Sequence, residues 1–163
     1  MLSWFSKKPK FVDREFSDLS FMLTQDEQDV TYLRDALDSS KLDFSLDSLR
    51  HIDEYLEKLR SAPPDGHDFL RVVLRTGAYV GEVMKRQCPG KYNWIAYDEA
   101  AKHSDFVKGL EHSIASTAML WYDKGSVLFP LGKVCKYLEN GSEDSVYFFA
   151  QVLSQPSDNS SKR

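Results

Sequence analysis

The chain has 163 residues, 42% hydrophobic and 13% aromatic, with a net charge of −4. That length and composition fit one globular domain with a real core, and exclude a largely disordered chain or a disulfide scaffold. Residues 13–57 hold thirteen acidic and four basic residues, a local charge of −9, whereas residues 1–12 hold three lysines and no acid. An acidic stretch of this size repels a phosphate backbone, so nucleic acid is excluded as the main partner. The two cysteines, Cys88 and Cys135, match no metal or redox spacing, which points to a reducing cytoplasm and to no cofactor or metal. No apolar run reaches the roughly 18–20 residues that a spanning helix needs.

In chain order, residues 1–12 read as a flexible leader, 13–153 as a single α+β domain and 154–163 as a polar, disordered tail. Phe16 to Leu23 is apolar and irregular, a short helix or a covering segment. Thr24 and Glu27 have the spacing of a capping box, and Val30, Leu33 and Leu37 predict a helix over 25–38. Leu49, Ile52, Leu56 and Leu59 form one apolar stripe of a second helix, with Ser45 or Asp47 as its cap and Pro63-Pro64 ending it. The third helix, over 67–87, is apolar nearly all round and therefore central. Gly77 and Gly81 each cost it about 1 kcal/mol relative to Ala, which close approach of another backbone would offset.

Beyond Cys88-Pro-Gly the period changes. Residues 92–97, 113–122 and 126–129 read as three strands of a small antiparallel sheet, with a helical turn over 98–103 and a tight hairpin at Gly125. Pro130 opens a helix that Asn140-Gly141 closes, and Ser142 caps a last helix with Glu143 and Asp144 in its first turn. Helices, a small sheet, then two more helices make the class α+β.

Three segments together carry a resemblance. Gly77-Ala-Tyr-Val-Gly-Glu82, Phe129-Pro-Leu-Gly-Lys-Val134 and Leu138-Glu-Asn-Gly-Ser-Glu-Asp-Ser-Val-Tyr-Phe-Phe149 resemble a family of small bacterial cytoplasmic proteins with a GAYxGEV helix. That family ends in a PLxKVxKxLENGxEDSVxxF pattern. Asp43-Phe-Ser-Leu-Asp-Ser-Leu49 and Asp53-Glu-Tyr-Leu56 are similar to its amino-terminal half, so the resemblance covers roughly residues 42–152. It implies a bacterial origin and brings no activity with it.

Glu82, beside Gly81 on the most buried helix, is the one candidate acid or base; its alternative is an ion pair with Lys133 or Lys136. The histidines at 51, 67, 103 and 112 show no zinc-protease spacing, although His103 and His112 are close enough in the chain to meet. Glu139, Glu143 and Asp144 lack the alternating ligands of a calcium loop. Trp94, Trp121 and Tyr122 fall on the expected sheet, where alternation would turn some outward as a binding patch. These features favour a non-enzymatic protein-binding module, such as an immunity protein or an accessory subunit. A small enzyme using Glu82 is the first alternative. A peripheral membrane adaptor, using Trp4, Phe5, Lys7 and Lys8, is the second.

Overall fold

The computed structural model describes residues 7–25, 31–122 and 125–156. Helix α1 (Asp13–Thr24) starts with Asp13 and Glu15 in its first turn, where carboxylates suit the helix dipole, and buries Phe16, Ser20 and Leu23. The helix expected over 25–38 does not form among the described residues. Residues 31–42 instead pass through two 3₁₀ turns, Arg34–Ala36 and Ser39–Lys41, with Leu33 in the left-handed region at φ 45°. Local side-chain bonding explains the difference. The Thr24 hydroxyl donates to the Phe21 carbonyl at 2.8 Å inside the last turn of α1, so Thr24 closes a helix and does not open one. The Asp38 carboxylate accepts the Ser40 N–H at 3.1 Å, a turn that competes with helix. Glu27, the other half of the expected capping box, lies outside the described residues.

Helix α2 (Ser48–Ser61) buries Leu49, Ile52, Tyr55, Leu56 and Leu59. One of its first N–H groups, that of Ser48, donates to the Ser45 hydroxyl at 3.2 Å, whereas the Asp47 side chain caps none. Helix α3 (Gly66–Gln87) runs through the centre of the molecule, fully buried from Thr76 to Met84. Close packing explains both of its interior glycines. A Cβ on Gly77 would sit 2.9 Å from the Leu131 Cα, and one on Gly81 would sit 2.0 Å from the Trp94 ring.

Strands β1 (Tyr92–Ala96), β2 (Ala118–Tyr122) and β3 (Val127–Leu128) pair antiparallel in the order β1-β2-β3. Trp94 lies opposite Leu120, and Trp121 opposite Val127. Period-two alternation sends Trp94, Ala118 and Leu120 into the main core under α3. Ile95, Met119 and Trp121 point the other way, into a smaller cluster with Ala100 of α4 (Tyr97–Ala100) and Val107 of α5 (Asp105–Lys108). β2 is shorter than the expected 113–122, because Ser113 and Ser116 bond each other's main chain and fold Ile114–Ser116 into a 3₁₀ turn.

Helices α6 (Pro130–Asn140) and α7 (Val146–Ser154) complete the fold. The cap of α7 is Ser145, whose hydroxyl accepts the Phe148 N–H at 3.0 Å; Ser142 begins a separate 3₁₀ turn. Asp53 on α2 accepts both the Ser145 hydroxyl and the Val146 N–H, the latter at 2.8 Å. Burial raises the Asp53 carboxyl above its ordinary pKa even against those two donors. Seven α-helices and a three-stranded sheet among the described residues make the molecule α+β. None of those helices is long and apolar enough to cross a membrane.

Candidate functional site

Glu82 is 6% exposed, and its carboxylate faces inward. The Trp94 indole N–H donates to its Oε1 at 3.0 Å, and the Lys85 ammonium lies 3.4 Å from the same oxygen. Lys85 also pairs with Asp13 at 2.6 Å. Asp13 in turn accepts the Trp94 main-chain N–H and the Asn93 side-chain amide, both at 2.9 Å. Phe16 stacks on the Trp94 ring with centroids 4.3 Å apart. The network locks α1, α3 and β1 together around one indole. The partner of Glu82 is Lys85, one helical turn away, and neither Lys133 nor Lys136. Lys133 reaches Asp144 instead, at 2.6 Å. Among the described residues, Glu82 lines none of the three best-defined clefts.

The sheet aromatics do not form the outward patch that alternation allowed. Trp94 is fully buried, Trp121 is 8% exposed, and Tyr122 is half-buried against Tyr92 with ring centroids 5.2 Å apart. His103 and His112 do not meet. His103 lies 3.4 Å from Glu99, and His112 stacks on Tyr97 at 4.4 Å. Glu99 gathers donors from Lys102, from the Lys10 main chain and from His103, and these hold its carboxyl down at about 2. Asp144 is held below its ordinary range, first by Lys133 and then by Asn140. Burial pushes Cys135 up to about 11 and also raises Cys88, so both thiols stay protonated near neutrality. No group of three potential metal ligands occurs among the described residues. Lys7 and Lys8 are exposed, whereas Trp4 and Phe5 lie outside the described residues.

The chemistry-bearing candidates are thus mostly engaged within the fold. Two clefts among the described residues are open. The larger, about 810 Å³, runs along residues 31–40 and Lys58 and is more polar than apolar. The other, about 480 Å³, lies beside β3, is mainly apolar and is a feature the sequence did not suggest. Its walls are Leu110, Val127, Leu128, Phe129 and Phe149, and its floor is Ala115, Ser116 and Gly132. Lys133, Lys136 and Glu111 supply its charge. The 3₁₀ turn at residues 114–116 packs on α6, and small residues at 115, 116 and 132 keep the groove between them from filling.

β3 contributes more than side chains. Among the described residues, Val127 and Leu128 make no main-chain hydrogen bond to any segment except β2. The opposite edge of the sheet is covered, since the Val12 N–H donates to the Trp94 carbonyl at 2.8 Å. Apolar surface continues from the cleft along α7. Helix residues are about 100° apart around the axis, so Leu153, Phe149, Val152 and Phe148 form one arc from core to solvent. Phe148 is 63% and Val152 50% exposed.

No protein-family model, no curated protein and no solved structure matches this chain, so nothing about its chemistry is carried over from a relative.

Proposed function

We propose that this protein is a non-enzymatic module that binds another protein, and that the contact runs along the open edge of β3 and the cleft beside it. The observation that carries this is the coincidence, on one corner of the molecule, of a strand edge unpaired among the described residues, an apolar cleft and the exposed α7 arc. Exposed apolar surface next to hydrogen-bonding main chain is what a partner segment uses for affinity and register. The engagement of Glu82 by Trp94 and Lys85 supports a binding role over acid–base catalysis. The exposed acids Glu15, Asp18, Asp35, Asp38, Asp43, Asp47, Glu54 and Glu57 disfavour nucleic acid as the partner. A cytoplasmic setting fits the two unpaired, protonated thiols.

The test is affinity capture of the full chain from its native host, done in parallel with Phe148→Asp. A stoichiometric partner held by the native chain and released by the variant is the expected result. A clean capture with the native chain overturns the proposal.

A further inference from the structure

We infer that the partner docks as an extended segment that adds to β3 as a fourth strand, with a large apolar side chain seated on Gly132 and a carboxylate beside Lys136. This rests on the binding-module reading and names the chemistry of its partner. The main-chain part follows from the β3 edge, whose outward N–H and C=O groups are unpaired among the described residues. An incoming strand would satisfy them, as in other cases where a peptide extends a sheet.

The side-chain part follows from the cleft. Gly132 leaves a pocket floor bounded by the Ala115 carbonyl and Phe129 Cβ, each 3.4 Å from where a Cβ would stand. Apolar walls on several sides suit a leucine- or phenylalanine-sized group. Of the three charged residues that line the cleft, two are cations. Lys133 is already paired with Asp144 and lies 5.6 Å from the Phe149 ring centroid. Lys136 is exposed and makes no direct hydrogen bond or ion pair among the described residues; it acts on Asp144 only through space, so its donors remain for a ligand. Glu111 belongs to a different segment, before the 113–116 turn, and disfavours a second acid there.

The spacing is consistent. Gly132 and Lys136 are one turn apart on α6, about 6 Å along the axis. Residues two apart on one face of a strand are roughly 6.6 Å apart. An apolar residue and an Asp or Glu two places apart on the same strand face therefore match that separation.

Three capped synthetic peptides of equal length test this on the full chain. The first carries leucine and, two residues on, glutamate; the second has lysine for the glutamate; the third is the first with alternate main-chain nitrogens methylated. The readout is amide chemical-shift change at Ala115, Val127, Leu128 and Gly132, with Kd from titration. The acidic peptide should bind at least tenfold more tightly than the lysine peptide and lose at least tenfold on methylation. Lys136→Glu, a surface change that leaves the fold intact, should invert the charge preference, and Gly132→Leu should abolish binding. Equal affinity of the methylated peptide overturns strand addition. Decanoate binding as tightly as the acidic peptide, without shifting Val127 or Leu128, assigns the cleft to small carboxylates and also overturns it. Host capture separates the two levels. A partner retained by Lys136→Glu defeats this inference alone, whereas no partner with the native chain defeats the binding-module reading itself.

Discussion

The centre of the molecule and its β3 corner use similar materials to opposite ends. At the centre, a glycine on α3 admits the Trp94 ring, and Glu82, Lys85 and Asp13 then consume one another's hydrogen-bonding capacity. At the corner, a glycine on α6 admits no large side chain of the same chain. Gly132 borders the cleft, where a Cβ would meet Ala115 and Phe129 at ordinary contact distance. Nearby Lys136 makes no direct hydrogen bond or ion pair among the described residues, acting on Asp144 only through space. A helical glycine with a polar neighbour therefore does not mark a site by itself. The deciding quantity is whether another part of the same chain fills the space.

Substituting each glycine by alanine breaks or sharpens that contrast most directly. Gly81→Ala forces a Cβ to within 2.0 Å of an aromatic ring and should destabilise the protein by about 3 kcal/mol or more, because the ring has no room to retreat. Gly132→Ala meets its nearest atoms at 3.4 Å. There the helix-propensity gain of about 1 kcal/mol offsets the contact, so urea denaturation should give a midpoint near that of the native protein. Equal losses at the two positions would mean that the cleft is as tightly packed as the core.

Glu82→Gln comes next in size. The amide oxygen still accepts from the Trp94 indole, but the pairing with Lys85 loses its charge. The expected loss is about 1–3 kcal/mol in the same denaturation experiment. An unchanged midpoint would return Glu82 to the catalytic candidates.

The smallest effect belongs to Glu99. Its carboxyl is lowered from the ordinary 4.5 to about 2 by Lys102, the Lys10 main chain and His103. A lowered folded-state pKa contributes stability that is present above the unfolded value and lost as pH falls through the folded one. The Glu99 carboxyl carbon, followed by NMR, should therefore titrate near pH 2, well below the ordinary 4.5. A Glu99 midpoint near 4.5 would show that the tie between the N-terminal segment and α4 is not formed in solution.

Much of this architecture was legible before any coordinates. Regular apolar spacing revealed α2, α3 and α6, because each buries one stripe or is buried throughout, and burial imposes the helical period. The pair Gly77 and Gly81 correctly announced close approach, though the partners at those points are an α6 backbone and an indole ring. Segments governed by short polar side chains were misread. Residues 31–42 look periodic, yet Asp38 and Ser40 close turns that the pattern Leu33, Leu37 cannot reveal. Ser142 and Ser145 are both plausible caps by type, and only Asp53, ninety-two residues from Ser145, decides between them. The cleft was invisible for a related reason. Its floor and walls come from segments around residues 110, 115, 128, 132 and 149, and no window of sequence contains them together.

The long reach of Trp94 also bears on synthesis. A nascent chain released up to residue 93 has α1, α2 and α3 available, but the notch at Gly81 is vacant and Phe16 has nothing to stack on. Asp13 likewise lacks the Trp94 main-chain N–H that helps anchor it. The first helix can pack on α3 as soon as both are made, but it gains its Trp94 contacts only once β1 has been added.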